Sequence, residues 1–248
     1  MTISRRSLEF RRQLESRVLV ADGAMGTMLY ARGVFIHRSY DELNLSAPDL
    51  VRGVHDEYVK AGAEILESNT FGANRLRLES YGLADKLCEI NRAGVRLARE
   101  AAGDEAFVAG AIGPLGALIE PMGSLRASDA RATFAEQIEC LVDAGADLLI
   151  FETFTHLAEL REAVLAARQV AGNDIVVIAQ VTIDDYGNLR DGTDTATFTR
   201  QMDRWPADVL GCNCSAGPKV TFETVEKMAA FTKKPLSAMP NAGHPALV

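Results

Sequence analysis

DLLIFETFTHLAELREAVLAARQVAGNDIVVIAQVT, residues 147–182, reads as a single strand–helix–strand unit. The run 147–152 is apolar and ends in Glu152, while 157–171 repeats apolar residues at helical spacing. Gly172 follows at the point where a left-handed helix cap is wanted, and 175–182 is again apolar and β-branched. A helix standing between two strands is a crossover, and crossovers join parallel neighbours. Strands that are apolar almost without interruption belong to a sheet covered on both faces.

The unit repeats in both directions. Further strand patterns fall at 18–22, 64–69, 107–112, 209–213 and 236–240, with helical patterns at 48–61, 75–102, 130–144, 195–204 and 220–231. Ser46 ahead of Pro48, and Ser128-Asp129, are helix-start signals, and Gly62, Gly103 and Gly145 stand at helix ends. No linker or low-complexity tract interrupts residues 1–248, which read as one α/β domain. The irregular stretch 30–47 reads as a lid over the top. Seven strands are expected, whereas a closed barrel of this type has eight. The pattern therefore allows an open doubly wound sheet, or a barrel truncated after strand seven.

A net charge of −8 gives no basic face to displace counterions from nucleic acid. The opening arginines, Arg5-Arg6 among them, have no apolar run behind them, so neither an export signal nor a membrane span is expected. Cys88 and Cys140 lie in helical patterns and read as buried reduced thiols, and a cytoplasmic setting is expected. The four histidines have no metal-binding spacing, and no dinucleotide fingerprint, phosphate loop or nucleophile elbow occurs.

Polar residues gather where the strands end. The strand ends carry Asp22-Gly23, Glu67-Ser68-Asn69-Thr70, Glu152-Thr153, Gly211-Cys212-Asn213-Cys214 and Pro240-Asn241-Ala242-Gly243. Taken singly, each is an ordinary turn or cap. Together they mark the carboxyl face of a parallel barrel, where such folds place their chemistry.

In order and spacing, the segments 22–29 (DGAMGTML), 41–46 (DELNLS), 69–74 (NTFGAN), 151–153 (FET), 211–214 (GCNC) and 240–243 (PNAG) resemble the homocysteine S-methyltransferase family. The similarity extends to the homocysteine-binding modules of cobalamin-dependent methionine synthase and of bifunctional homocysteine methyltransferase/methylenetetrahydrofolate reductases. It implies a (β/α)8 TIM-type barrel, here without its last strand and helix, and zinc-dependent methyl transfer to homocysteine sulfur to give methionine. A thiol reacts as its thiolate, and Zn²⁺ deprotonates a bound thiol at neutral pH. Residue by residue, the resemblance makes Cys214 the first zinc ligand and Asn241 an approaching amide. Asp22 and Glu152 would receive the substrate ammonium, and Gly23 would meet the carboxylate. Asn69, Thr70 and Asn213 complete the substrate site, and Cys212 is a small strand residue.

One departure stands out. The family's remaining zinc ligands are an adjacent cysteine pair in Gly-Gly-Cys-Cys on strand eight, and this sequence has no such pair. One thiolate and one amide fall short of the three or four ligands that zinc sites use. The expectation is a poor or inactive methyltransferase in isolation, with open barrel edges that invite association. The alternatives are a non-catalytic barrel that binds an amino acid without metal, and an aldolase- or hydrolase-type barrel, which would lack a strand-end lysine. The family's methyl donors include methylfolate with cobalamin, S-methylmethionine and betaine, and its modules adjoin folate, cobalamin or reductase domains.

Overall fold

The computed structural model describes residues 5–35 and 37–242. In chain order the helices before the sheet are α1 (Arg5–Leu14), α2 (Met25–Ala31), α3 (Leu43–Ser46) and α4 (Pro48–Lys60). Then follow β1 (Ile65–Glu67), α5 (Arg75–Glu79), α6 (Leu87–Ala102), β2 (Phe107–Ile112), α7 (Ala127–Asp143), β3 (Leu148–Phe154) and α8 (Leu157–Ala171). The chain continues through β4 (Val176–Val181), α9 (Thr195–Asp203), β5 (Val209–Asn213), α10 (Pro218–Ala229) and β6 (Leu236–Met239). All five strand pairings are parallel, and spatial order equals chain order. A doubly wound sheet reverses its order partway. This one does not, and it curls as a half-barrel.

Alternation along the strands sorts side chains onto two faces. Ile65, Phe107, Ala109, Ile150, Ile178 and Val209 pack together inside the curl. Their neighbours Leu66, Val108, Leu149, Val177 and Leu210 face outward, against Phe134, Leu160 and the other apolar residues of the helices. The helix ends follow the glycines of the sequence: Gly103 and Gly172 take φ of 51° and 59°, which side chains with a Cβ rarely adopt.

Helix α1 closes the base. Phe10 enters the inner cluster and meets Phe107 edge-on, with ring centroids 5.1 Å apart. Burial of such a side chain contributes about 2 kcal/mol. Around it, three carboxylates at or beside the strand starts are paired with arginine. Asp147 meets Arg99 at 2.6 Å and Arg6 at 3.5 Å, Asp208 meets Arg168 at 2.6 Å and Arg11 at 3.1 Å, and Glu64 meets Arg17 at 2.6 Å.

Three expectations are corrected. Six strands form ladders rather than seven, because the segment 18–22 makes only a bridge from Ala21 to Ile65. The N–H of Asp22 reaches the Ile65 carbonyl at 2.9 Å, but among the described residues nothing pairs the segment's other side, and Val18 is 85% exposed. The stretch read as a lid is a buttress, since Ser39, Asp41 and Asn44 are buried against the loop after β1. Cys88 and Cys140 are joined as a disulfide, because packing of α6 on α7 brings their Cα atoms to 5.2 Å. Gly243 and His244 lie outside the described residues.

Candidate functional site

The strand ends converge on a cluster of three carboxylates. Glu67 and Glu152 each follow an inward residue, Ile65 and Ile150, by two positions, so both side chains enter the curl above the apolar core. Asp22 joins them from the chain segment beside β1, and its Oδ2 accepts the Glu67 backbone N–H at 2.9 Å. Asp22 Oδ1 and Glu67 Oε1 are sealed from solvent, and no hydrogen-bond donor reaches them. No arginine or lysine among the described residues forms an ion pair with any of the three.

This environment disfavours negative charge. Burial pushes the Glu152 carboxyl from 4.5 up to about 7, against the opposing effect of its hydrogen bonds with Glu67 and Thr153. Glu67 is raised well above the ordinary range by burial, then by the neighbouring charges of Glu152 and Asp22. Asp22 is raised likewise, first by burial, with the Glu67 N–H opposing and Glu152 adding to it. With all three groups raised, the cluster favours fewer negative charges than three carboxyls ordinarily carry at neutral pH.

Asn213 fastens β3 to β5 above this cluster. It is 5% exposed; its Oδ1 accepts from Thr153 N at 2.8 Å, and its Nδ2 donates to Thr153 Oγ1 at 2.9 Å and Glu152 Oε2 at 3.2 Å. These bonds hold Thr153 at φ 65°, an unfavourable conformation for a β-branched residue. Cys214 and Ser215 follow at φ 61° and 63°, which turns the exposed Cys214 away from the strand direction. Cys214 N donates to the Met239 carbonyl and Asn241 N to the Ala216 carbonyl, so Cys214 and Asn241 top adjacent strands. Gly211 lies directly against β6: a Cβ there would overlap the Ser237 backbone oxygen.

The other expected positions are also at this face. Gly23 is exposed, and a Cβ on it would come within 3.0 Å of Tyr58 Oη, whose hydroxyl donates to the Ala24 carbonyl. Asn69 donates to the Tyr40 carbonyl and Asn44 Oδ1, and Thr70 Oγ1 donates to the Ala111 carbonyl, so both side chains hold the loop in place. Cys212 points outward, 1% exposed, and burial pushes its thiol up to about 12. Glu67, named among the strand ends but given no role there, and Tyr58 join the site, and the buried Gln180 on β4 donates to Ser237 Oγ of β6.

As a metal centre the arrangement is incomplete. Among the described residues no three His, Cys, Asp or Glu side chains are grouped to hold a metal ion. Cys214 is the free thiol at the strand ends, with the Asn241 amide nearby, and this donor set does not fit tetrahedral zinc by itself. A cavity of about 780 Å³ lies at the opposite end of the sheet, between the last turns of α7 and α8, and contains none of these residues.

The chain is similar to known proteins. The chain is 32% identical to methionine synthase of Mycobacterium tuberculosis, over 94% of this chain but 21% of the relative. The match to methionine synthase of Mycobacterium leprae has the same extent. The chain thus spans about a fifth of the length of these relatives. Among solved structures, the metallated form of the Escherichia coli homocysteine methyltransferase MmuM superposes with a TM-score of 0.83 at 27% identity. That superposition covers 94% of this chain and 87% of the other. The sequence model of homocysteine S-methyltransferases matches residues 19–247, and the chain belongs to that family.

Proposed function

We propose that this chain is the homocysteine-binding part of a methyltransferase that converts homocysteine to methionine, built as most of a (β/α)8 barrel. The observation that carries the reading is the set of unneutralised carboxylates at the carboxyl ends of the strands, Asp22 and Glu152 foremost. A buried, uncompensated carboxylate pair needs a cation, and the α-ammonium of an amino acid supplies one. The exposed backbone at Gly23 takes the α-carboxylate, and the loop held by Asn69 and Thr70 walls the pocket.

Asn213 links the two halves of the site, since it binds Glu152 and immediately precedes Cys214. With its ammonium on the carboxylates, homocysteine extends its sulfur toward the Cys214 end. In the transfer, the thiolate sulfur bonds to the donor's methyl carbon, the bond from that carbon to the donor breaks, and the thiol proton leaves to solvent. The ordinary thiol, with a pKa near about 8.5, is mostly protonated at neutral pH. Zinc bound through Cys214 would supply the missing activation when further ligands complete its coordination, and the described residues do not bring those ligands together. The donor is methylfolate with cobalamin, S-methylmethionine or betaine, and the residues of this chain do not select among them.

The incomplete metal set favours a second reading, a barrel that binds the amino acid without transferring a methyl group. Titration calorimetry with L-homocysteine, followed by assay of methionine formation with each donor and added zinc, separates the two. Binding with turnover supports the transferase, and binding without turnover under every donor supports the binder. Absence of binding removes both.

A further inference from the structure

We propose that Glu67 is a third carboxylate of the ammonium pocket and sets its preference for an α-amino acid over a thiol acid lacking the amino group, an inference that rests on the homocysteine reading above. Position supports it first. Glu67 is interior by strand alternation, and its own backbone N–H fixes Asp22 at 2.9 Å, so the two carboxylates are placed as one unit. One oxygen of each, Asp22 Oδ1 and Glu67 Oε1, is sealed from solvent and has no donor. Buried oxygens without donors are rare in folded proteins because each costs a full desolvation penalty. Here two occur on residues that a hydrogen bond from the Glu67 backbone ties to one another, at the strand ends where the ligand nitrogen is expected.

The surroundings select the kind of cation. The polar groups against the carboxylates are neutral: the Asn213 amide on Glu152, and the Tyr58 hydroxyl, which is bonded to Ala24. Among the described residues no basic side chain pairs with them, whereas the basal carboxylates Asp147, Asp208 and Glu64 all have arginines. An ammonium has three N–H donors in divergent directions, and Asp22, Glu67 and Glu152 offer it one acceptor group each. A thiol acid without the amino group leaves those acceptors empty, and a site left with unpaired buried groups rejects such a ligand strongly.

The test compares L-homocysteine with 4-mercaptobutanoate, which differs only in the amino group, by titration calorimetry on the chain and on its Glu67→Gln variant. The wild type should prefer the amino acid, and the variant should lose roughly ten- to hundredfold of that preference. A general structural role would weaken both ligands alike and leave the ratio unchanged. If the wild type shows the preference and the variant keeps it, the role of Glu67 is overturned while the homocysteine reading stands. If the wild type shows no preference, the homocysteine reading falls and this inference with it. A second measurement needs no variant: the ¹³C signal of the Glu67 carboxyl should shift with L-homocysteine and stay fixed with 4-mercaptobutanoate. A fixed signal with both would overturn the proposal.

Discussion

Replacing Glu152 with glutamine should stabilise the ligand-free protein at alkaline pH and leave it nearly unchanged at acid pH. The group moves from 4.5 to about 7 on folding, so the folded state holds a proton that the unfolded chain has already released. Its contribution to stability is therefore complete below pH 4.5 and is lost as pH rises through 7. At about 1.4 kcal/mol per unit, the loss is about 3 kcal/mol by pH 8.5, and about 2 kcal/mol of it falls between pH 5.5 and 8.5. Because the neighbouring charge of Glu152 also raises Glu67, that amount belongs to the pair. Glutamine keeps an oxygen for Asn213 Nδ2 and removes the charge. Urea unfolding of wild type and variant across pH 4.5–8.5 reads the difference, and titrating groups away from Glu67 and Asp22, which Glu152 itself raises, cancel between the two proteins. The variant's advantage should grow with pH. A difference that is flat with pH, or that shrinks toward alkali, would refute the idea that this pocket holds uncompensated charge.

Two further predictions concern the scaffold. His55 on α4 is fully buried with neither ring nitrogen paired, and burial lowers it from 6.5 to about 4, so the unfolded chain takes up its proton first as pH falls. Stability should therefore drop by up to about 3 kcal/mol between pH 6.5 and 4, and His55→Leu should remove most of that slope in acid unfolding curves. The Cys88–Cys140 bond closes a separation of 52 residues, for which loop entropy gives about 4 kcal/mol at most. Dithiothreitol should lower the midpoint of thermal unfolding of the wild type and not that of a Cys88→Ala/Cys140→Ala variant; equal midpoints with and without reductant in the wild type would exclude the bond.

The sequence made the architecture legible wherever apolar runs and helix caps coincide. Strand, helix and strand at 147–182 appear as β3, α8 and β4, with Gly172 as the cap. The first strand was over-read because apolar alternation at 18–22 looks the same whether one side or both sides find a partner. Glu152 and Asn213 were visible as polar residues ending apolar runs. Glu67 ends its run in the same way and shares the parity of Ile65, so period two along β1 could have singled it out. Tyr58 could not be found by that route: it reaches Gly23 from the far end of α4, a contact made by tertiary packing. The disulfide was hidden for the same reason, because helix packing alone brings Cys88 to Cys140.

The two ends of the sheet treat charge in opposite ways, and that contrast links fold to function. At the base, Asp147 also accepts from Val108 N at 2.9 Å and Asp208 from Val177 N at 2.8 Å, so each fastens neighbouring strands while arginines neutralise it. Those carboxylates serve the fold, and their charge is balanced within it. At the top, Asp22 fastens β1 through Glu67 N in the same manner, yet neither it nor Glu67 nor Glu152 has a counter-charge. Nothing in strand geometry demands the difference, since the same backbone contacts form at both ends. Removing a carboxylate at the base should therefore weaken the fold, while removing one at the top should strengthen it and weaken ligand binding. Local stability given up at one face only is what a binding site requires, and the top face shows it in three carboxyl groups that ionise with difficulty.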